Sequence, residues 1–362
     1  MRHSLRRIKR KIYMTDNYIE ELEDDEQQQL YEHLRIVVDK GQLPLRIDKY
    51  MFEKLQHTSR NRIQRAADAG FVHVNDVPVK SNYKVRPLDV ITLMLDRPQY
   101  DNTIEPEDIP LDVVYEDSEL MVINKPAGLV VHPGCGNYHG TLVNAIAWHL
   151  RDLPSYSPND PEVGLVHRID KDTSGLLVIA KTPDAKTRLG VQFFNKTTHR
   201  SYNAMVWGNF TEDEGRIEGN IGRDPKDRLR MAVFPPDSGI GKPAVTHYRV
   251  IERFGYVTLV ECILETGRTH QIRAHMRHIG HPLFGDERYG GTVILRGNRS
   301  GSYKQFIENC LKVCPRQALH ARTLGFVHPK TGKQLDFTSQ LPADMEQLIG
   351  RWRTYINGNE FK

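Results

Sequence analysis

The 362-residue sequence contains no apolar run approaching the roughly 18 residues that a membrane span requires. No apolar stretch follows its basic first residues either, so a secretory leader is not expected and a cytoplasmic location is. Cysteine is scarce, with only Cys135, Cys262, Cys310 and Cys314. The last two are the only close pair, and a structural zinc site wants four ligands in tighter pairs. All four are read as free thiols, which suits a reducing compartment. An excess of one charge is also missing: 50 basic residues face 46 acidic ones, a net charge of +4 that does not by itself mark a nucleic-acid binder. There is no internal repeat. The glycine-rich stretch Gly134-Cys135-Gly136 lacks the strand–loop–helix setting of nucleotide-binding folds.

What charge there is lies unevenly. Arg2, Arg6, Arg7, Lys9, Arg10 and Lys11 form a basic arm, and Asp16, Glu20, Glu21, Glu23, Asp24, Asp25 and Glu26 form an acidic block behind it. Residues 1–40 are read as a self-compensating, disordered extension. A second segment, residues 43–97, reads as two helices and a small sheet. Leu45, Tyr50, Met51 and Leu55 fit one helix face. Thr58 or Ser59 caps a second helix with Ile63, Ala66 and Ala67 inward, and Gly70 ends it. Short strands follow at Phe71–Val74, Val77–Val79 and Val90–Leu95, the first two joined through Asn75-Asp76. Between Arg46 and Arg86 this module carries nine basic and four acidic residues, a balance suited to phosphate contacts.

The stretches Leu45-Arg46-Ile47-Asp48-Lys49-Tyr50, Ser59-Arg60-Asn61-Arg62-Ile63, Gly70-Phe71-Val72-His73-Val74-Asn75 and Leu88-Asp89-Val90-Ile91 resemble the S4-type RNA-binding domain. That resemblance implies RNA contact by Arg60, Arg62 and Arg65.

Residues 98–106 read as a proline-bearing linker, and residues 107–357 as the main domain. Its strands are expected at Leu120–Asn124, Leu176–Lys181, Tyr202–Gly208, Ala244–Ile251, Tyr256–Leu264, Ala318–Phe326 and Gln334–Thr338. Helices are expected at Thr141–Leu150, Asp184–Asn195, Gln271–Ile279 and Asp344–Tyr355. Adjacent strands without regular intervening helices point to an α+β domain with a mixed, largely antiparallel sheet flanked by helices. The stretch Thr292–Cys314 carries no recognisable motif.

Three polar clusters stand out. Gly164-Leu165-Val166-His167-Arg168-Ile169-Asp170-Lys171-Asp172-Thr173-Ser174-Gly175 runs into an apolar strand, where charge is expensive to desolvate unless paired. Glu265-Thr266-Gly267-Arg268-Thr269-His270-Gln271-Ile272-Arg273-Ala274-His275 opens a helix rich in arginine, a good setting for an anion. Its two histidines, five apart, do not share a helix face, so no metal site is expected. Tyr202, in His199-Arg200-Ser201-Tyr202, begins an alternating strand. Singly, these residues read as a turn aspartate, a basic surface patch and a half-buried tyrosine.

Together the clusters resemble the RluA/RluD family of pseudouridine synthases, with Gly280-His281-Pro282-Leu283-Phe284-Gly285-Asp286 and Tyr289-Gly290 extending the second signature. The stretches Glu105–Leu111, Val131–Gly134, Gly241–Tyr248 and Arg316–Ala321 are most similar to the D type, which acts on large-subunit ribosomal RNA. The resemblance implies an isomerase that needs no cofactor. Asp170 would be the catalytic carboxylate, Arg273 its partner, and Tyr202 the residue that stacks on uracil and takes the C5 proton. Arg168 would fill the space left by the flipped base, with His167 supporting the loop. It also implies ribosomal RNA or an assembling large subunit as partner, the helix 69 loop as target, and a monomer. Two other readings differ in product: a non-catalytic RNA-binding factor alters no base, and a glycosidase-like enzyme releases one.

Overall fold

The computed structural model describes residues 31–359 apart from 56–58, 96–103, 134–136, 138, 154–163, 228 and 299. The basic arm, the acidic block, Thr58 and Cys135 lie outside the described residues. The chain divides into two compact units, Met1–Asp101 and Asn102–Lys362.

The first unit contains β1 (Tyr31–Val37), α1 (Ile47–Lys54), α2 (Arg60–Asp68), β2 (Val72–Val74), β3 (Val77–Pro78) and β4 (Val90–Leu95). Its sheet runs β1-β4-β2-β3, antiparallel throughout. Ile47, Tyr50 and Met51 lie at helical spacing and are buried with Ile63, Ala67, Val72 and Ile91. Ser59 caps α2 by accepting a hydrogen bond from the Arg62 amide. The β2–β3 hairpin turns through Asn75 and Asp76, both at positive φ, the backbone that a two-residue turn between twisted strands requires. The strand β1 falls within the stretch that reads as charged extension. Its sequence, Tyr-Glu-His-Leu-Arg-Ile-Val, carries enough charge to hide its strand character, but β4 supplies a paired edge.

The second unit contains β5 (Val113–Glu116), β6 (Leu120–Lys125), α3 (Leu142–Leu150), β7 (Ser174–Ala180), α4 (Pro183–Phe194), β8 (His199–Trp207), β9 (Glu214–Arg223), β10 (Met231–Phe234), β11 (Lys242–Arg253), β12 (Val257–Leu264), α5 (Gln271–His278), α6 (Gly301–Val313), β13 (Leu319–Val327), β14 (Gln334–Thr338) and α7 (Ala343–Asn359). One sheet runs β10-β9-β11-β12-β8-β13-β7-β6-β5, with β14 on β13. Among the described residues only the β13–β7 pair is parallel, so the domain is a mixed, largely antiparallel α+β structure, as its sequence predicts. Packing begins inside the stretch read as linker: Ile104 is buried, and the Asn144 side chain donates to the Glu105 carbonyl.

Both faces of β6 and β7 are covered. Met121, Ile123, Leu177 and Ile179 pack with Leu142, Val143 and Ile146 of α3. The alternate residues Leu120, Val122, Leu176 and Val178 pack with Ala185 and Leu189 of α4. This is the two-residue alternation of a strand between two layers. The motif-less stretch 292–314 contains α6, whose Tyr303, Ile307 and Cys310 bury against Met345, Leu348 and Trp352 of α7. Where β7 meets β13, Gly175 sits at φ +118°, and a Cβ there would lie 2.3 Å from the Ala321 carbonyl oxygen. Only glycine permits that approach. Cys262, Cys310 and Cys314 are buried free thiols. Among the described residues no helix is long and apolar enough to cross a membrane.

Candidate active site

The loop before β7 is held from several sides. Leu165 bridges to Ile179, and the Ala180 amide donates to the Gly164 carbonyl. Ile169 is buried in the main apolar cluster, which leaves its neighbour Asp170 at the surface of a cavity, with its side chain 22% exposed. Two cations grip the backbone just beyond it. The Lys125 ammonium, itself buried, donates to the carbonyls of Lys171, Leu129 and Pro126 at 2.8, 2.9 and 2.7 Å. Arg316 Nη1 donates to the Asp172 carbonyl at 2.9 Å, while its other nitrogens pair with Asp344. Burial pushes the Lys125 amine down to about 7. Three carbonyl acceptors oppose this, because together they engage every proton of an ammonium.

Arg273 reaches the loop from the first turns of α5. Its Nη1 donates to Asp170 Oδ2 at 2.9 Å. Its Nε and Nη2 form a two-pronged pair with Asp286, at 2.7 and 2.9 Å. Burial works against the guanidinium charge, but Asp286 and Asp170 more than compensate and raise its pKa, so Arg273 stays cationic. The guanidinium also lies over the Tyr289 ring, 4.9 Å from its centroid. The Tyr289 hydroxyl accepts from the Met231 amide at 2.8 Å and meets His270 Nδ1 at 3.0 Å. His270 caps α5 from the left-handed region, at φ 53°, and its Nε2 lies 3.9 Å from Asp170 Oδ2. Burial pulls the His270 pKa below its ordinary value, against the attraction of Asp170.

Tyr202 of β8 is buried, and its side chain lines the same cavity, which measures about 550 Å³. A pocket of that size is in the range of small-molecule and nucleotide sites. Burial raises the Tyr202 pKa, which keeps the phenol protonated at neutral pH. The cavity wall also carries Arg168, Lys196, Arg200 and Arg268, against the carboxylates of Asp170 and Glu265. With Arg273, five cations therefore face two carboxylates, and the lining is electropositive.

The structure thus brings Asp170, Tyr202, Arg273, Arg168 and His167 to one cavity. Arg168 is exposed at its wall. His167 turns Nε2 toward the backbone, where it accepts from the Val178 amide at 3.0 Å, and its ring stacks on Phe193. Burial, reinforced by the Arg200 charge, holds its pKa down to about 3, so it is a neutral brace for the loop.

Arg60, Arg62 and Arg65 lie on α2 of the first unit. Arg62 and Arg65 are exposed. Arg60 donates to Asp48 at 3.0 Å, alongside Arg46 and Gln64. Asp48 is fully buried, which alone would raise its pKa, but the hydrogen bonds from Arg46, Gln64 and Arg60 hold it down at about 2. Arg60 is therefore partly a structural cation. Sequence reasoning assigned no role to Asp286, Tyr289, His270, Lys125, Arg316 or Arg200. Asp286 and Tyr289 stand inside the long second signature, which was the available signal.

Comparison with known proteins accords with this geometry. Residues 119–278 match the RNA pseudouridylate synthase family, and residues 45–91 match the S4 domain. The chain is 46% identical over 324 residues to an uncharacterized RNA pseudouridine synthase of Chlorobaculum parvum, spanning 89% of this chain and 98% of that one. It is 41% identical over 319 residues to the ribosomal large subunit pseudouridine synthase D of Zymomonas mobilis, covering 87% and 96% of the two chains. The fold is similar to that of human RNA pseudouridylate synthase domain containing 4, with a TM-score of 0.51 at 24% identity, covering 67% of this chain and 92% of the human one.

Proposed function

Since the chain belongs to the RNA pseudouridylate synthase family and carries an S4 domain, we propose that it isomerises uridines of large-subunit ribosomal RNA, in the helix 69 loop, with Asp170 as its catalytic carboxylate. The observation that carries this reading is the Asp170–Arg273 pair, anchored by Asp286, in a cavity shared with Tyr202.

Pseudouridine formation breaks the bond between uracil N1 and ribose C1′ and makes a bond between C5 and C1′. The C5 proton is lost and N1 gains one, so no atom is added and nothing is oxidised. Asp170 starts the reaction as an anion, either attacking C1′ or removing a sugar proton. Arg273 holds one of the Asp170 oxygens by a charge-assisted hydrogen bond, leaving the other free to act. The uridine must leave its stack to reach a carboxylate seated in a cavity. Arg168, exposed at the wall, fills the vacated space with a planar guanidinium that both stacks and donates hydrogen bonds. Tyr202 provides the face on which the uracil turns. A protonated phenol can accept the C5 proton only while passing its own to solvent, so Tyr202 acts as a relay.

The test is to map pseudouridine in ribosomal RNA by chemical labelling, in a deletion strain complemented with either the wild type or Asp170→Asn. The expected result is loss of specific large-subunit sites in helix 69, restored only by the wild type. An unchanged labelling pattern in the deletion strain overturns the assignment. Loss confined to other uridines overturns the target.

A further inference from the structure

We propose that Arg200 forms an anion subsite within the cavity, binding a backbone phosphate of the RNA beside the flipped uridine. The source of the phosphate rests on the reading of the chain as an RNA-modifying enzyme; the anion site does not.

Arg200 is only 8% exposed, and its side chain lines the cavity. Its Nε is buried without a hydrogen-bond partner, and among the described residues no carboxylate pairs with its guanidinium. The other cations of the wall are accounted for differently. Arg273 is shared between Asp170 and Asp286, Arg268 donates to the Pro243 carbonyl, and Arg168 and Lys196 are exposed to solvent. A guanidinium cannot discharge by losing its proton, and a buried charge without a partner is costly. Its ring contact with Phe193, at 5.4 Å, is a small offset. An arriving anion removes that cost, and the planar fork of arginine fits two phosphate oxygens. Uracil is neutral, so the anion that RNA brings is phosphate.

The position fits a nucleotide. Arg200 and Tyr202 are two apart on β8 and point to the same face, about 7 Å apart along the strand. With the base on Tyr202, Arg200 faces the backbone that carries it. The guanidinium crosses to the turn before α5, where Nη1 lies 3.1 Å from the place a Cβ of Gly267 would occupy. Glycine at that point leaves room for an anion beside the guanidinium, in a turn that is itself exposed.

The experiment uses full-length protein, Arg200→Gln and Arg200→Lys, and a large-subunit ribosomal RNA fragment containing the target loop. Affinity is measured across a salt series, thermal unfolding is recorded, and pseudouridine formation is followed by tritium release from uracil C5. Arg200→Gln should bind roughly tenfold or more weakly. Its slope of log affinity against log salt should be smaller by about one contact, while its melting temperature is unchanged or higher. Arg200→Lys should keep the slope. A single methylphosphonate linkage beside the target uridine, which is neutral, should weaken the wild type and leave Arg200→Gln no weaker than before. A lower melting temperature with an unchanged salt slope would make Arg200 structural and overturn the proposal. Equal methylphosphonate penalties in both proteins would overturn it as well. A wild type that binds RNA yet releases no tritium contradicts the proposed activity, and the Arg200 comparison still decides this proposal. A wild type that binds no RNA contradicts both.

Discussion

Asp286 grips Arg273 with both carboxylate oxygens, at 2.7 and 2.9 Å, from a position that is 1% exposed. The outward nitrogen of that guanidinium is the one that meets Asp170, so Asp286 sets where the positive charge stands. Asp286→Asn leaves the buried Arg273 with a single carboxylate partner, the part-exposed Asp170. We expect a loss of roughly 3 kcal/mol of stability, read as a melting temperature lowered by about 10 °C, together with a fall in turnover. Wild-type stability in the variant would show that the pair does not anchor the site.

Asp170→Asn should behave differently. Arg273 retains Asp286, so stability should hold within about 1 kcal/mol. Pseudouridine formation should fall by at least roughly 10³-fold, about 4 kcal/mol in the barrier, with RNA affinity retained. Residual turnover close to the wild type, measured by tritium release on the purified variant, removes Asp170 from the chemistry.

The arginines of α2 should separate into two kinds. Arg62→Gln with Arg65→Gln removes exposed cations and should lower the salt slope of RNA binding by about two contacts without altering stability. Arg60→Gln loosens buried Asp48 and should lower stability by about 1 kcal/mol or more. Equal effects of the two changes on stability, followed by urea unfolding, would show that Arg60 has no special structural part.

His320 gives a pH dependence with a definite sign. It is 1% exposed, and its two ring nitrogens meet the hydroxyls of Ser174 and Ser339 at 2.9 and 2.8 Å. Burial, aided by Arg322 and Arg316, holds its pKa at about 4, below the ordinary value of 6.5. The unfolded chain therefore binds the proton first, and stability falls as the pH drops from about 6.5 to about 4, by roughly 3 kcal/mol at the limit. His320→Gln should flatten the urea midpoint across that window. Parallel curves for the two proteins would assign the loss to other groups, such as His275, which is also held at about 4.

Much of this was legible in the sequence because the residues concerned obey strong local rules. The unbroken apolar run Leu176–Ala180, capping at Ser59, and the apolar spacing of Ile63 and Ala67 each report on one element, and the elements formed there. What was missed depends on distant partners. The strand β1 is polar by itself and exists because β4 offers an edge. The helix α6 carries its signal at Tyr303, Ile307 and Cys310, but the spacing gains meaning only against α7. At the site, the carboxylate, its arginine and the tyrosine stand in recognisable strings. The grips of Lys125 and Arg316 on the Asp170 loop are hydrogen bonds to carbonyl oxygens, which leave no mark in side-chain chemistry.

The order of the sheet has a consequence for the birth of the enzyme. The strands that bear Tyr202 and follow Asp170 do not touch through their backbones; β13, near the end of the chain, lies between them. A ribosome that has made only the first 300 residues has therefore synthesised every cavity-lining group except Leu319, yet no finished sheet can form to seat them. The nascent protein should stay catalytically silent until β13 emerges, and shortened chains ending before β13 should be inert whatever signatures they contain.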